Sequence, residues 1–154
     1  MPIQILVVDD HQIVRQGVRS LLNTLRPEWS IAEAQDANHA IEMVKTYPPS
    51  LVIMDITMPG FSGLEAVSIL RKSGFNPPVL IFTMHKSAQL GNDTRGAGAQ
   101  GYVLKSQAVE DLVRAIDALL AGGTFFGAPS PALHAQDKPN PGAVFCVGFK
   151  LAFA

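Results

Sequence analysis

The sequence predicts an α/β domain in which helices cover both faces of a parallel sheet. Two observations lead to this fold class. Five short apolar runs lack alternation with polar residues, which is typical of strands buried on both faces. A candidate helix follows each run, and alternating strands and helices are the pattern of a parallel sheet. The chain has 154 residues, 47% of them hydrophobic, so it is long enough for one well-buried domain.

The bounds of each element follow from where apolar runs, helical spacing and stop signals occur. The predicted strands cover residues 3–8, 30–34, 51–54, 79–82 and 101–104. The predicted helices cover residues 11–25, 37–47, 62–74, 87–97 and 109–120. Asp36 should cap the second helix, and Ser62 with Glu65 has the spacing of a capping box that opens the third. The proline pair 48–49 and the glycine pair 122–123 should end the second and fifth helices.

The fourth predicted helix, residues 87–97, has the weakest signal. It contains Gly91, Asn92, Asp93 and Gly96 and shows little apolar periodicity, so its intrinsic helicity is low. This composition fits either a loosely packed surface helix or a mobile element used in signalling.

The last part of the chain differs in composition from the rest. Four prolines lie between residues 129 and 142, and the apolar segment AVFCVGFKLAFA follows. We therefore predict one domain over residues 1–126 and a Pro-rich linker and tail over residues 127–154. The tail could be a pairing strand, a read-through or expression scar, or the stump of a truncated element, and its sequence leaves these alternatives open.

Composition and charge argue against several classes of protein. The formal net charge is -1 and the twelve basic residues are scattered, so no electrostatic footprint for nucleic acid is visible. A single cysteine, Cys146, excludes an internal disulfide and a multi-cysteine zinc site. No run reaches the roughly 18 apolar residues of a membrane span, and the N-terminus lacks the pattern of a signal peptide. We expect a cytoplasmic protein with no membrane partner.

Charged and hydroxyl side chains follow several of the predicted strands at the point where each strand ends. In an open parallel sheet these positions are neighbours in space, whatever their distance in sequence. They are Asp9, Asp10, Asp55, Thr83 and Lys105. Three carboxylates, one hydroxyl and one ammonium should therefore meet at one edge of the sheet.

Each of these residues, taken alone, has an ordinary structural explanation. Asp10 could cap the first helix, and Asp55 could form a turn. Thr83 could simply end its strand, and Lys105 could lie on the surface. Together they are harder to explain in this way, because clustered carboxylates repel and raise one another's pKa unless a cation compensates. Oxygen ligands suit Mg²⁺, and a carboxylate can attack phosphorus to form an aspartyl phosphate, so the set favours phosphoryl chemistry.

Four segments closely resemble the receiver domain of bacterial two-component response regulators. They are ILVVDDH at 5–11, LVIMDITMPGFSGLEA at 51–66, VLIFTMH at 79–85 and GAQGYVLK at 98–105. The resemblance covers about residues 3–126 and implies a flavodoxin-like, doubly wound, five-stranded parallel sheet of order 2-1-3-4-5 with five helices. The segments DDHQIVRQGVRSLL and GYVLK look most like the LuxR/NarL-type branch.

The resemblance implies a phosphorylation site. Asp55 would accept a phosphoryl group from a sensor histidine kinase. Asp9 and Asp10 would hold Mg²⁺ together with Asp55 and the backbone carbonyl of Thr57. Lys105 would pair with the bound phosphoryl group.

The resemblance also implies residues that respond to the phosphoryl group. Thr83 would turn inward to bond it, and Tyr102 would be an aromatic switch that rotates with Thr83. The Thr57 side chain and His85 lie where members of the family tune the lifetime of the phosphate. A half-buried strand tyrosine is the alternative explanation for Tyr102, and a plain surface position is the alternative for His85.

A receiver of this kind would act as a switch, with only self-phosphorylation and self-dephosphorylation chemistry of its own. Phosphorylation would change the surface of the fourth helix, fifth strand and fifth helix for homodimerisation or output, as in transcription regulation by a full-length protein. Members of this branch usually carry a C-terminal helix-turn-helix, and no run of helices follows Gly123, so DNA binding would need a domain not present in this chain. A stand-alone receiver that acts through protein partners is the alternative. A haloacid-dehalogenase-like phosphotransferase is disfavoured, because Thr57 occupies the position of its second acid.

Overall fold

Five strands and five helices alternate along residues 2–84, 87–107 and 109–126, which are the residues described by this computed structural model. In chain order they are β1 (Gln4–Val8), α1 (Gln12–Leu25), β2 (Ser30–Ala34), α2 (Ala37–Thr46), β3 (Leu51–Met54), α3 (Gly63–Lys72), β4 (Val79–Thr83), α4 (Leu90–Ala97), β5 (Gly101–Leu104) and α5 (Val109–Leu120). The fourth helix begins three residues later than predicted, and all other predicted bounds agree within two residues. The C-terminal segment 127–154 lies outside the described residues, so the predicted linker and tail remain a prediction.

The five strands form one parallel sheet in the order β2-β1-β3-β4-β5, which confirms the predicted fold class. The last residue of β1, Val8, lies opposite both Ala34 of β2 and Met54 of β3. At the opposite edge of the sheet, the backbone N–H of Lys105, just after β5, donates to the backbone carbonyl of Thr83 at 2.8 Å. This register brings the carboxyl ends of β1, β3, β4 and β5 to one edge of the sheet, as predicted for parallel strands.

Two apolar layers bury the sheet on both faces. Successive strand side chains point to opposite faces, so Ile5 and Val7 of β1 pack with α1 and α5, while Leu6 and Val8 pack with α2 and α3. All four are at most 2% exposed. Burial on both faces explains why the strand sequences show no polar alternation. Among the described residues, no helix is long and apolar enough to cross a membrane.

Local hydrogen bonds begin the second and third helices where the sequence predicts. The Asp36 carboxylate accepts from the backbone N–H of His39 at 2.8 Å. The capping box of α3 is complete: Ser62 Oγ accepts from the Glu65 N–H at 3.1 Å, and Glu65 Oε1 accepts from the Ser62 N–H at 2.9 Å. The next residue, Gly63, lies so close to β3 that an added Cβ would be 2.1 Å from the carbonyl oxygen of Asp55. Glycine therefore lets α3 start directly beside the end of β3.

The fourth helix is short and weakly anchored. Its N-cap residue, Gln89, makes no side-chain capping hydrogen bond, and Gly98 with φ 102° ends the helix in the left-handed region. Leu90 and Thr94 are its buried residues, and Thr94 Oγ1 has no hydrogen-bond partner within the part of the chain that the structure describes. The low helicity predicted for this segment therefore corresponds to a helix of eight residues with little local stabilisation.

Replacing the buried hydroxyl of Thr94 by a methyl group should stabilise the protein. Thr94→Val keeps the shape of the side chain and removes an unpaired polar atom from the interior, so we expect the free energy of unfolding to rise by about 1 kcal/mol. Urea unfolding followed by circular dichroism measures the change. Thr46→Val is the matched control, because the Thr46 hydroxyl is exposed and donates to the Glu42 carbonyl at 2.9 Å. A Thr94→Val protein no more stable than the control would contradict the prediction.

Candidate functional site

Asp9, Asp55 and Lys105 form a buried charged cluster at the carboxyl edge of the sheet. They are 2%, 5% and 7% exposed. Lys105 Nζ donates to Asp9 Oδ2 at 2.7 Å and to Asp55 Oδ2 at 3.4 Å, although the lysine is fifty residues from one aspartate and almost a hundred from the other. The structure thus brings together three of the residues that strand-end reasoning selected.

Asp10 lies at the exposed rim of this cluster, together with a histidine that the sequence reasoning missed. His11 Nδ1 is 3.1 Å from Asp9 Oδ1 and 3.1 Å from Asp10 Oδ1, and the His11 backbone N–H donates to Asp9 Oδ1 at 2.8 Å. The N-cap of α1 is His11, so Asp10 does not cap this helix. The only signal for His11 in the sequence is its position directly after the two aspartates.

Four side chains could hold a metal ion at this edge. One ligand atom each from Asp9, Asp10, His11 and Asp55 lies within 4.8 Å of the others. Lys105 supplies one positive charge against three carboxylates, so the donor set still carries excess negative charge. Carboxylate oxygens at a partly open edge are the ligands that Mg²⁺ accepts while keeping some of its waters. The residues present therefore fit a hard divalent cation.

Burial raises the pKa of Asp55 above its ordinary value of 3.8. The ammonium of Lys105 acts in the opposite direction, and the carboxylate of Asp9 adds to the rise. The net increase means that the surroundings disfavour the charged form even with the lysine beside it. A divalent cation at this site would act in the same direction as Lys105 and favour the carboxylate.

A second pair of charges holds the loop that carries Asp9. Arg15 of α1 donates from Nη1 to the backbone carbonyl of Asp9 and from Nε to Glu33 Oε1 at 3.0 Å. Glu33 also accepts from Arg19 at 2.8 Å. Although burial raises the pKa of Glu33, its bonds with Arg19 and Arg15 hold that pKa below the usual value. Sequence reasoning missed Arg15 and Glu33, because their contact depends on how α1 packs beside β2.

The remaining predicted site residues lie around the cluster. Thr83 is fully buried at the end of β4, and Thr57 is exposed in the loop after β3. Tyr102 of β5 lies opposite Ile81 of β4, two residues before Thr83, so Tyr102 and Thr83 share one face of the sheet. The Tyr102 side chain is half-buried. His85 lies outside the described residues.

Comparison with known proteins identifies the family. A family model for the response regulator receiver domain matches residues 5–117. The chain belongs to this family. Its fold is that of a receiver domain, and the resemblance seen in the sequence is confirmed. Receiver domains of response regulators are signalling proteins and not classical enzymes, so the haloacid-dehalogenase alternative loses its support.

Similar proteins place this receiver near the LuxR/NarL branch. The chain is 34% identical over 124 residues to the transcriptional regulatory protein DegU of Brevibacillus brevis, covering 80% of this chain and 52% of the relative. It is 31% identical over 140 residues to the nitrate/nitrite response regulator protein NarL of Escherichia coli K12, covering 90% of this chain and 65% of that relative. This receiver chain therefore spans about half to two thirds of the length of these curated relatives.

Solved structures show the same fold. A LuxR-family two-component response regulator from Aurantimonas sp. SI85-9A1 is 36% identical with a TM-score of 0.77, and the match covers 98% of this chain and 99% of that one. The signal receiver domain of the putative response regulator NarL from Mycobacterium tuberculosis is 27% identical with a TM-score of 0.73, covering 79% and 98%.

Neutralising Asp55 should stabilise the receiver near pH 7. The folded protein binds a proton at Asp55 more readily than the unfolded chain, so Asp55 contributes stability at low pH that is lost as the pH rises through its raised pKa. Asp55→Asn carries no charge and avoids this loss. We expect its thermal unfolding midpoint at pH 7 to rise by about 2–6 °C.

Circular dichroism melts between pH 7 and pH 4 measure this effect, and the gain should shrink as the pH falls toward 3.8, the ordinary pKa of the group. Asp36→Asn is the control, because asparagine caps a helix as well as aspartate does and Asp36 is only partly buried. A midpoint at pH 7 below that of the native protein would show that the charge of Asp55 is net stabilising.

Proposed function

We propose that this chain is the phosphoacceptor of a two-component phosphorelay and that Asp55 accepts a phosphoryl group from the phosphohistidine of a sensor histidine kinase. The observation that carries this proposal is the buried cluster of Asp55, Asp9 and Lys105. It combines a carboxylate on a rigid strand end with a cation 3.4 Å away. Family membership supports the same role, since receiver domains are signalling domains and the segments around Asp9, Asp55 and Lys105 resemble theirs.

The chemistry of the step follows from these groups. A carboxylate oxygen of Asp55 attacks phosphorus, and the new O–P bond forms as the N–P bond of the kinase phosphohistidine breaks. The imidazole nitrogen keeps the electron pair of the broken bond and takes a proton from solvent. Asp55 must be ionised to attack, and Lys105 favours that form. After transfer, Lys105 is placed to pair with the phosphoryl oxygens in place of the original carboxylate charge.

Asp9, Asp10 and Asp55, with the backbone carbonyl of Thr57, would hold Mg²⁺ at this edge. When bound, the ion supplies positive charge that offsets the three carboxylates and the incoming phosphoryl oxygens. Arg15 keeps the backbone of Asp9 in place through its bond to the Asp9 carbonyl.

Thr83 and Tyr102 would carry the change away from Asp55. A charge-assisted hydrogen bond is worth roughly 1.5–3 kcal/mol. Bonds from Thr83 and Lys105 to the phosphoryl group would together approach about 5.5 kcal/mol, the energy that converts a 1:99 ratio of two conformations into 99:1. Tyr102 shares a face with Thr83 and would rotate with it. The surface of α4, β5 and α5 would then change for homodimerisation or partner binding. The side chains of Thr57 and His85 would set the lifetime of the phosphate.

The boundaries of this switch are part of the proposal. The receiver would comprise residues 1–126, with residues 127–154 as linker and tail. Because the chain spans only part of relatives such as the transcriptional regulatory protein DegU, regulation of transcription would belong to a longer protein. A stand-alone receiver that acts through protein partners is the alternative output of the same chemistry.

Phosphorylation of Asp55 can be tested directly. With acetyl phosphate and Mg²⁺, intact-mass spectrometry of the native protein should show one added phosphoryl group, and Asp55→Asn should show none. Asp36→Asn removes a partly buried carboxylate at the start of α2, away from the site, and should be modified like the native protein. Absence of an adduct in the native protein, or an undiminished one in Asp55→Asn, would refute the proposed function.

Two substitutions should change Mg²⁺ affinity in opposite directions. Lys105→Met removes a positive charge beside Asp9 and Asp55, so we expect Mg²⁺ to bind roughly threefold to tenfold more tightly. Asp10→Asn removes a carboxylate ligand and should weaken binding by at least the same factor. Titration of amide chemical shifts with Mg²⁺ measures both. Weaker binding in Lys105→Met, or unchanged binding in Asp10→Asn, would argue against a cation at this edge.

A further inference from the structure

The three residues Thr124–Phe126, here called the exit segment, run along the outer edge of β5. The Tyr102 N–H donates to the Phe125 carbonyl at 2.9 Å, and the Phe125 N–H donates to the Gln100 carbonyl at 3.0 Å. These bonds form a parallel bridge between Gly101 and Phe125. The chain that leaves α5 is therefore bound to the last strand of the sheet.

Gly101 is fitted to this pairing. A Cβ built on Gly101 would lie 2.5 Å from the Phe125 carbonyl oxygen and 3.1 Å from the Phe125 nitrogen. Any larger residue would push the exit segment away from β5, because a carbonyl oxygen cannot approach a carbon so closely. The exit segment can therefore pair this closely with β5 because residue 101 is a glycine.

The Phe126 ring connects α4 to β5. The guanidinium carbon of Arg95, on α4, lies 4.2 Å from the centre of the Phe126 ring. The Tyr102 ring, on β5, lies 6.5 Å from it at an interplanar angle of 59°. Both arrangements are within the range of favourable cation–π and aromatic contacts. Phe126 is therefore attached to the two elements that flank the proposed switch.

Tyr102 lies between the exit segment and the proposed phosphorylation site. A Cβ on Gly91 of α4 would be 3.6 Å from Tyr102 Cε2, so the tyrosine ring lies along this glycine. Thr83 is on the same face of the sheet, two residue pairs further toward the carboxyl edge. In the position seen here the Tyr102 ring therefore contacts both Phe126 and α4.

We propose that Phe126 is a positioning residue for Tyr102: it holds the ring in the position seen here, and movement of Tyr102 toward Thr83 releases the exit segment from β5. This inference rests on the proposed phosphorylation of Asp55. The coupling is reciprocal, as linkage requires. Phosphorylation detaches the exit segment, and loss of Phe126 favours the phosphorylated state. The signal thereby reaches the chain beyond residue 126 within a single protomer.

Beryllofluoride binding in the presence of Mg²⁺ measures the first half of this coupling. Phe126→Ala should bind beryllofluoride about threefold to tenfold more tightly than the native protein, because two contacts that oppose the switch are lost. Tyr47→Ala is the matched control, since Tyr47 is an exposed aromatic residue at the end of α2. In a Tyr102→Leu background, Phe126→Ala should change the affinity by less than about twofold, because the contact partner is already absent.

Hydrogen exchange measures the second half. Saturating beryllofluoride should speed exchange of the Phe125 amide by about tenfold or more, because that N–H loses its bond to Gln100. The Ser30 amide, which donates to Ile3 at 2.9 Å at the far end of the sheet, should be unchanged.

The possible results separate this inference from the proposed function. Equal affinities of the native protein and Phe126→Ala, an effect of Phe126→Ala that persists with Tyr102→Leu, or an unchanged Phe125 amide would each overturn the inference while Asp55 remains the phosphoacceptor. Failure of the native protein to bind beryllofluoride at all would overturn the proposed function, and the inference with it.

Discussion

The contact of Lys105 with two buried aspartates is the interaction on which the rest of this structure depends. Asp9 and Asp55 end neighbouring strands, so the parallel register places two carboxylates side by side away from water. Such charges are costly to bury unless a counter-charge is bonded to them. Lys105 supplies it from the end of β5, at 2.7 Å from Asp9 and 3.4 Å from Asp55. Burial still raises the pKa of Asp55 above its ordinary value, although Lys105 acts in the opposite direction.

The two halves of the domain are built differently. Around β1 and β3 the acidic cluster is held by Arg15 and Glu33 on one side and by the close start of α3 at Gly63 on the other. Around α4 the helix is short, lacks a side-chain cap and keeps a buried hydroxyl unpaired among the described residues. Few local interactions mean a low cost of local rearrangement. A rigid acidic cluster beside a loosely held helix suits a site that binds a group at one end and transmits a change at the other.

The exit segment contacts only one of these two halves of the domain, as far as the described residues show. It pairs with β5 and places Phe126 against both Arg95 and Tyr102, so it contacts the loosely held half of the domain and not the acidic cluster. Contacts of this kind are individually weak, of the order of 1 kcal/mol each. That magnitude suits the proposed switch. A much stronger contact would keep Tyr102 in one position, and a much weaker one would not couple the position of Tyr102 to the exit segment.

Features that follow from local sequence patterns, or from the general rule for the ends of parallel strands, were predictable from the sequence. The apolar runs marked the strands, and Asp36 and the Ser62–Glu65 pair marked two helix starts. The strand-end rule selected Asp9, Asp10, Asp55, Thr83 and Lys105, because parallel strands end at a common edge. Other features were decided only by the tertiary structure. They include the contact of His11 with two aspartates, the hold of Arg15 on Asp9, the start of α4 at Leu90 and the pairing of Phe125 with β5. Each depends on distances of a few ångströms within a loop or between separate elements, and no local pattern of residue types encodes those distances.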